Sequence, residues 1–365
     1  MRHSRLVSLL ALGLVAVACA APAATTAPSV APTAIGTHAA ATPTLAAATA
    51  TPLPATPTAV ASAIGSAPPA TASAVPSASA SVVATGSPAA TLPTRPDACA
   101  MTSLVLKNPP RLTLSTDNPA YPPWWGGDPK TQYPNQPSGG IKWKISNPYS
   151  MMGYEGATAY AIAATLGFTP DQVDWRQNTV FAQAFAPGEK PFDFHMAQIS
   201  ITPDRAQAVD FSDPYFDSVQ SIVALKDDPI SSATSIADLK QYKLGAAADT
   251  TSYDLIQNAI QPTTAAAIYP DNDTAVTALQ NGQIDGLVAD LGSAIYMRDV
   301  QLTGALIVGQ FASTVQIDHV GAVLDKDSPL TPCVDWAIQT LKANGTLQQF
   351  FDQWLNSGQE IPLLQ

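Results

Sequence analysis

Residue types that bind small polar molecules are concentrated in residues 192–216, which read FDFHMAQISITPDRAQAVDFSDPYF. An apolar run ends there near a serine, and an arginine follows this serine by five residues. The hydroxyl of Ser200 both donates and accepts hydrogen bonds, and the guanidinium of Arg205 is a planar group of donors that matches a carboxylate. The pair favours a ligand with a carboxylate. The alternative interpretation of the pair alone is a helix N-cap and a surface arginine.

The segments before this stretch predict the sheet that would position it. Strand-like and helix-like segments alternate there: 112–116, 155–166, 173–176, 180–186 and 192–197. This alternation predicts an α/β fold with a mostly parallel sheet. Ligands bind outside the carboxyl ends of such strands. We therefore expect Ser200 to lie at a ligand cleft.

A second alternating set follows in the chain. Its strand candidates are 219–225, 243–247, 266–269 and 285–289, and its helix candidates are 236–239, 250–260, 273–280 and 292–299. The remaining segments are one strand and two helices, at 320–324, 329–344 and 346–355. The two sets predict two lobes, each with a mostly parallel sheet flanked by helices, and a cleft between them. We expect one lobe at 95–220 and 318–365 and the other at 221–317, with hinge crossings near 217–222 and 317–320.

The N-terminal quarter has the composition of an exported and tethered protein. Residues 1–18 combine two arginines with an uncharged apolar run that ends in Ala-Val-Ala, which is typical of a secretory signal peptide. Cys19 follows directly and resembles the lipidated cysteine of a bacterial lipobox, so we expect either a lipid anchor at Cys19 or simple cleavage. Residues 19–94 lack Asp, Glu, Lys and Arg and are rich in Ala, Pro, Thr and Ser. Since such a segment cannot form a core, it predicts a disordered tether.

Charge and cysteine content exclude several classes of function. The chain has 28 acidic and 17 basic residues and a net charge of −11, which argues against nucleic acid as a partner. In an exported protein we expect the two remaining cysteines, Cys99 and Cys333, to form a disulfide. Two cysteines and four scattered histidines do not readily supply a metal site. We also find no nucleotide-binding loop, and we expect no cofactor.

Short motifs occur in a specific order between about residues 111 and 355. They are Thr116-Asp117, Gly153-Tyr154-Glu155, SITPDR at 200–205, VDFSDPY at 209–215, IADLK at 236–240, Leu244-Gly245, NGQID at 281–285 and NGTL at 344–347. In this order they resemble the bacterial family-3 solute-binding proteins, which bind amino acids for ATP-driven (ABC) uptake systems. The resemblance implies a two-lobed, periplasmic-binding-protein-like fold of type II, with the ligand in the interlobe cleft.

The resemblance also implies partners for both charges of an amino acid. The α-carboxylate pairs with Arg205, helped by the hydroxyl and N–H groups of Thr250 and Thr251 at the start of a helix. The α-ammonium is held by the Asp290 carboxylate, the Ser200 hydroxyl and the Gln198 backbone carbonyl. Both charges need such partners because an unpaired buried charge is costly.

The ligand side chain would lie among Asp117, Tyr121 and Phe181, with stacking on the two rings. Trp124 and Trp125 belong either to the lobe core or to contacts with a neighbouring insertion. We expect His195, which lies inside a strand, to be packed or exposed rather than catalytic.

Two departures from the family bear on the choice of ligand. Gln198 stands where the family usually has Gly, Ala or Ser, so we expect a larger polar side chain to face the cleft and to select the ligand. Residues 126–152 are longer than the usual hairpin and predict either a lid or a surface loop. Asp117 and Gln198 near the ligand side chain favour a polar or basic amino acid.

The resemblance implies a monomeric, non-enzymatic receptor that closes on a free amino acid and delivers it to a membrane permease. Such a receptor lies in the periplasm or at the outer face of the cytoplasmic membrane, to which lipid on Cys19 would attach it. One alternative is an enzyme like cyclohexadienyl dehydratase on the same fold, with Asp117 or Asp290 as the acid. Another alternative is an amino-acid sensor that feeds a signalling partner.

Overall fold

The structure, a computed structural model, describes residues 91–356 and 358–365. The expected signal peptide at 1–18, Cys19 and the expected tether as far as residue 90 lie outside the described residues. Within the described part, no helix is long and apolar enough to cross a membrane.

Strands and helices alternate along the described residues as an α/β fold requires. The strands are β1 (Leu112–Asp117), β2 (Val173–Asn178), β3 (Phe194–His195), β4 (Asp210–Phe211), β5 (Phe216–Ser218), β6 (Gln220–Leu225), β7 (Leu244–Ala247), β8 (Ala267–Tyr269), β9 (Gly286–Asp290), β10 (Ala305–Phe311), β11 (Asp318–Val320), β12 (Val323–Leu324) and β13 (Leu363–Leu364). The α-helices are α1 (Tyr154–Leu166), α2 (Arg205–Ala208), α3 (Ile236–Leu239), α4 (Thr251–Leu255), α5 (Asn272–Gln280), α6 (Leu291–Tyr296), α7 (Thr331–Ala343) and α8 (Thr346–Trp354). One π-helical turn continues each of α4 and α6, at Ile256–Ile260 and Met297–Gln301.

The first sheet has the strand order β2-β1-β3-β12-β4. β1 is parallel to both β2 and β3, whereas β12 is antiparallel to β3 and β4. The first five residues of β1 are buried, as expected for a strand covered on both faces. Helix α1, which packs against this sheet, ends at Gly167 with φ +104°, where the glycine N–H bonds the carbonyls of Ala163 and Ala164. Because β1 and β3 are parallel neighbours, their carboxyl ends lie at the same edge of the sheet.

The second sheet has the order β13-β10-β6-β9-β7-β8. Strands β7, β8 and β9 are parallel, and β6 runs antiparallel to β9 and β10. Along β6, Ile222 and Ala224 belong to one hydrophobic cluster and Val223 to another. Since alternate side chains of a strand point to opposite faces, this sheet is also covered on both sides. Both sheets are thus mixed, with parallel pairs and antiparallel additions.

The two lobes are connected where the sequence predicts crossings. β5 and β11 form a separate antiparallel pair in which Asp217 lies opposite His319. The chain enters the second lobe through β5 and returns through β11. Backbone hydrogen bonds between β5 and β11 hold the two crossings together.

The C-terminal strand corrects the expected lobe boundary. Residues 318–365 were expected to end in the first lobe, but β13 pairs with β10 of the second sheet. Leu364 is buried in the core of that lobe, and a Cβ at Gly309 would come within 2.7 Å of its Cγ atom. Leu364 occupies the space above Gly309, and its burial there stabilises the crossing to the second lobe. The sequence pattern does not reveal this match.

The disulfide expected from the sequence is present. Cys99 and Cys333 are bonded across a sequence separation of 234 residues, which joins the start of the described chain to α7. Trp336 on the same helix donates its indole N–H to the carbonyl of Pro93 at 3.1 Å. The last residues of the expected tether, which ends at residue 94, and the segment after it are therefore held on the first lobe.

The excursion at 126–152 packs on the first lobe. Asn135 donates its side-chain amide to the Tyr160 hydroxyl at 2.9 Å, and the Tyr149 hydroxyl accepts the N–H of Trp175 at 3.1 Å. None of residues 126–152 lines the interlobe cavity. Of the two alternatives, a lid and a surface loop, the structure favours the surface loop.

Candidate functional site

A cavity of about 350 Å³ lies between the two lobes. All nine residues that the sequence placed around a ligand line this cavity: Asp117, Tyr121, Phe181, Gln198, Ser200, Arg205, Thr250, Thr251 and Asp290. Carboxyl-end residues of β1 and the loop after β3 form the wall from the first lobe. The ends of β7 and β9, with the helices that follow them, form the opposite wall.

Arg205 lies in the cavity wall rather than on a free surface. Its guanidinium donates to the carbonyl of Ser200 at 2.7 Å and to the carbonyl of Asp249 in the second lobe at 2.7 Å. The guanidinium carbon also lies 4.4 Å from the ring centroid of Phe185, a cation–π distance. Burial lowers the pKa of Arg205, and nearby carboxylates oppose this shift. The first turn of α2 thus positions a cation that contacts both lobes.

Ser200 and Thr251 meet across the cleft, with their hydroxyl oxygens 3.2 Å apart. Ser200 also forms a backbone bridge with Val320 of β11. The serine therefore joins the ligand cavity to one of the two hinge strands.

The backbone of Gln198, and not only its side chain, is held in a specific conformation at the site. It has a φ of +52°, in the left-handed region that side chains rarely adopt. Its backbone N–H donates to Glu155 at 2.7 Å, and its side-chain amide donates to the same carboxylate. The side chain was expected to face the cleft and select the ligand. Although the residue lines the cavity, its NH₂ group instead donates to the buried carboxylate of Glu155, which also accepts the Tyr215 hydroxyl.

Asp117 ends β1 with a carboxylate in the cavity. Burial raises its pKa to about 6, and a hydrogen bond of 2.8 Å from the Asn178 amide opposes this shift. His195 lies behind it, fully buried, with Nε2 3.7 Å from the carboxylate and Nδ1 3.0 Å from the Ser115 hydroxyl. Burial lowers the pKa of His195 to about 3, so this histidine is packed and neutral.

In the second lobe, two predicted site residues cap helices. Thr250 precedes α4 and accepts the N–H of Tyr253 at 3.3 Å, and Asp290 precedes α6 and accepts the N–H of Ser293 at 2.9 Å. Burial raises the pKa of Asp290. An N-cap places its side chain beside the first N–H groups of a helix, so this wall presents a carboxylate and backbone donors together.

A contact across the cleft lies at Tyr121. Its hydroxyl donates to Asp273 in the first turn of α5, and its ring centroid is 5.8 Å from that of Tyr296. Asp273 also accepts the side-chain amide of Gln301 at 2.8 Å. Tyr121 is therefore both a cavity wall and a bridge between lobes.

The cavity is acidic. Among the described residues that line it, the charged side chains are one arginine and five aspartates: Arg205, Asp117, Asp271, Asp273, Asp290 and Asp318. Asp271, Asp273 and Asp318 were not expected in the site. The Asp-Asn-Asp sequence at 271–273 was a possible signal, because such residues frequently cap helices, but only the fold brings that cap beside Tyr121.

Trp124 and Trp125 belong to the lobe core, one of the two alternatives considered. Both are buried, Trp124 in edge contact with Phe216 and Trp125 with Trp175. A Cβ at Gly292 would come within 2.7 Å of the Trp124 ring, so this indole also approaches the start of α6 in the other lobe.

The sequence pattern of one protein family matches residues 143–357, more than half of the 365-residue chain. Its description is bacterial extracellular solute-binding proteins, family 3. The chain belongs to this family. The resemblance inferred from the order of the motifs is confirmed.

Curated relatives share about a quarter of their aligned residues with this family-3 protein. The ABC transporter arginine-binding protein 1 of Escherichia coli strain K12 is 28% identical over 169 residues, which are 45% of this chain and 67% of that protein. The ABC transporter glutamine-binding protein GlnH of Bacillus subtilis strain 168 is 28% identical over 167 residues, which are 45% of this chain and 58% of that protein. The matches therefore span about three fifths to two thirds of these relatives' lengths.

Solved structures of amino-acid-binding proteins share the fold. An ancestral arginine-binding protein bound to glutamine has a TM-score of 0.52 and 25% identity, covering 68% of this chain and 98% of that chain. The arginine-, lysine-, histidine-binding protein ArtJ of Geobacillus stearothermophilus has a TM-score of 0.51 and 21% identity, covering 68% and 96%. The ancestral amino acid-binding protein AncCDT-1, a precursor of cyclohexadienyl dehydratase, has a TM-score of 0.50 and 24% identity, covering 67% and 94%. The expected two-lobed α/β fold is confirmed.

Proposed function

We propose that this protein is a receptor that captures a free, positively charged amino acid by lobe closure, without changing it chemically. The observation that carries the proposal is an interlobe cavity with a guanidinium on one wall and a carboxylate on the other. An amino acid that leaves water needs a partner for each of its two backbone charges. Arg205 and Asp290 supply one partner each.

The α-carboxylate would bind Arg205 together with the hydroxyl and N–H groups of Thr250 and Thr251. Arg205 already donates to two backbone carbonyls, and a guanidinium has five N–H donors, so three remain for a ligand. The α-ammonium would bind Asp290, the hydroxyl of Ser200 and the backbone carbonyl of Gln198. Because these groups come from both lobes, the ligand binds the closed form better than the open one, which is the condition for ligand-driven closure.

The charge of the cavity supports a cationic ligand side chain. The aspartates outnumber the arginine by five to one, so a zwitterion with no further charge leaves an excess of negative charge. Asp117 would face the side-chain cation, and Tyr121 and Phe181 would stack on its flat or aliphatic part. The relatives named as arginine-binding proteins support this choice.

The route of delivery is part of the same proposal. We propose that the receptor, as a monomer, passes its ligand to an ABC transporter permease from the outer face of the membrane, with lipid on Cys19 as its anchor. Relatives that carry ABC transporter names support the permease. Mass spectrometry of the native protein tests the anchor, because a diacylglyceryl thioether on the Cys19 sulfur would add its mass to the N-terminal fragment, whereas simple cleavage would leave the fragment unmodified. Sensing instead of transport would be indicated by a neighbouring signalling gene in place of permease and ATPase genes.

Calorimetry on protein stripped of bound ligand by unfolding and refolding, with its disulfide intact, tests the binding. Arginine should bind more tightly than citrulline, which has a similar shape but no side-chain charge, and more tightly than agmatine, which lacks the carboxylate. The first comparison tests the acidic cavity and the second tests Arg205. Failure of all twenty amino acids to bind at millimolar concentration would refute the proposal, and turnover of a bound ligand would favour an enzyme instead.

A further inference from the structure

A buried carboxyl group lies next to the cavity without lining it. Glu155, in the first turn of α1, has 0% exposed surface. Its carboxylate accepts the backbone N–H of Gln198 at 2.7 Å, the side-chain amide of Gln198, and the hydroxyl of Tyr215. These three groups are donors, and a carboxylate is acceptor-only when ionised. The arrangement therefore matches the ionised form of Glu155.

Gln198, which donates two of these hydrogen bonds, has a strained backbone. Gln198 has a φ of +52°, and a non-glycine residue persists in this region only when its surroundings hold it there. Glu155 binds both the backbone and the side chain of Gln198. It thus fixes the peptide before Gln198 and the orientation of the residue itself, which lines the ligand cavity.

The third donor, the Tyr215 hydroxyl, connects the Glu155 carboxylate to β5 and β11, the strands that cross between the lobes. Tyr215 directly precedes β5, and its N–H donates to the carbonyl of Val320 at 2.9 Å. Its own carbonyl accepts the hydroxyl of Tyr154 at 2.9 Å. The backbone at Ile199 also bonds the returning crossing, because its carbonyl accepts the N–H of Gly321 at 3.1 Å. Glu155 therefore lies between the ligand loop and both hinge strands.

We infer that Glu155 is a positioning residue for the ligand site, acting through Gln198, and that loss of its charge weakens ligand binding. The inference rests on the proposed function, in which the Gln198 carbonyl accepts a bond from the ligand ammonium. It also assigns the role of Gln198 in selectivity to its backbone geometry, which Glu155 sets, rather than to a side chain that reads the ligand.

The charge of Glu155 changes in the neutral pH range. Burial raises its pKa to about 7, against the hydrogen bonds from Tyr215, Gln198 and Trp125. The titratable groups that face it are the phenols of Tyr154 and Tyr215, whose pKa values burial raises, so neither ionises near neutrality. Once protonated, the carboxyl carries a donor of its own and keeps three of its four acceptor sites. Four donors are directed at it, two from Gln198 and one each from Tyr215 and Trp125, so one of them loses its acceptor. Ligand affinity should therefore fall as the pH decreases through about 7.

The experiment compares arginine binding by the wild type and by Glu155→Gln at several pH values between 6 and 8. At pH 8 we expect the variant to bind about tenfold more weakly, since its amide nitrogen faces the amide nitrogen of Gln198 and leaves a buried donor unpaired. At pH 6 the difference should shrink, because the wild type has lost the same charge. Glu189→Gln, which changes an exposed glutamate (side chain 85% exposed) outside the cavity, is the matched control.

Two further variants separate positioning from a general loss of stability. Glu155→Gln/Gln198→Glu exchanges the two groups and restores complementary donors and acceptors, so it should recover part of the lost affinity. Tyr215→Phe removes one donor to the carboxylate and should move the midpoint of the pH profile upward. A Glu155→Gln effect that is equal at every pH, or no effect with arginine still bound, would overturn the inference.

A ligand-free measurement distinguishes failure of this inference from failure of the proposed function. The chain contains three glutamates, at 155, 189 and 360, so a sample with ¹³C-labelled glutamate carboxyls gives few signals, and Glu155→Gln assigns the buried one. A titration midpoint of the Glu155 carboxyl near neutrality supports the charged hydrogen-bond network, even in a protein that binds no amino acid. A midpoint at the usual glutamate value overturns the network whatever the ligand.

Discussion

The two walls of the cavity are built in different ways. In the first lobe, the residues at the ligand position depend on partners far along the chain: Glu155 with Gln198, and Asp117 with Asn178. In the second lobe, Thr250 and Asp290 each bond a backbone N–H three residues later. One wall is a network of long-range hydrogen bonds, and the other is a pair of helix caps.

This difference indicates separate roles for the two walls. The long-range network ties the first wall to the sheet and to the strands that cross between the lobes, so we expect its groups to keep their positions before a ligand arrives. The caps present helix N-termini, which favour negative charge, beside the carboxylate of Asp290. We expect a substitution in the first wall to change ligand affinity and lobe closure together. In the second wall, the loss of charge should change ligand affinity and the loss of a cap should change stability, so the two effects can be measured separately.

The largest effect is expected for Arg205→Ala in the first wall. It removes the carboxylate partner and the bonds to Ser200 and Asp249, so arginine affinity should fall about a hundredfold or more. Arg205→Lys should lie between the wild type and Arg205→Ala, because lysine keeps the charge but lacks the planar fork. Calorimetry measures both, with Arg298→Ala, outside the cavity, as control. Undiminished binding by Arg205→Ala would mean that Arg205 is not the partner of the ligand carboxylate.

The second wall is tested by two substitutions at Asp290. Asp290→Asn keeps an oxygen that can accept the Ser293 N–H but loses the charge, so affinity should fall about tenfold to a hundredfold with little change in stability. Asp290→Ala should lose in addition about 1 kcal/mol of stability, as expected for a missing N-cap. Thermal unfolding and calorimetry on the same samples separate the two effects. Equal unfolding temperatures for both variants would contradict the capping role.

Asp117 gives the first wall a second dependence on pH. Its carboxylate is present above its pKa of about 6, so attraction for a cationic side chain should be lost as the pH falls through 6, by up to about tenfold at pH 5. Asp117→Asn should abolish this fall, and citrulline should not show it. For folding the sign is opposite: the folded pKa exceeds the unfolded value of 3.8, so the contribution of Asp117 to stability decreases as the pH rises from about 4 to 6. A pH profile for arginine that is the same in Asp117→Asn would exclude this contact.

The smallest effect is expected at the contact that joins the two walls. Tyr121→Phe keeps the ring but removes the hydrogen bond to Asp273, so the closed form should lose about 0.5–1.5 kcal/mol. The loss should be seen as faster ligand dissociation in stopped-flow measurements, because such changes act mainly on the off-rate. Tyr242→Phe, which lies outside the cavity, is the control. An unchanged dissociation rate would show that the contact does not stabilise closure.

Local patterns predicted most of the elements. The helix end at Gly167 follows from residues within one turn, and such a signal needs no tertiary contact. Strand β10, ALIVGQF, is absent from the predicted strands, and its position is set by pairing with β6 and β13. Strand β13 was missed because two residues carry no periodicity.

The sequence by itself determined the family, the two lobes and the nine residues around the cavity, because ordered motifs and strand ends specify which groups reach the cleft. Only the tertiary structure decided how these groups are held. Glu155 meets Gln198 across 43 residues and Tyr121 meets Asp273 across 152, and no local pattern records such a pairing. The physical reason is that a cap or a strand end depends on neighbours along the chain, whereas a buried charge depends on whichever donors the fold brings to it.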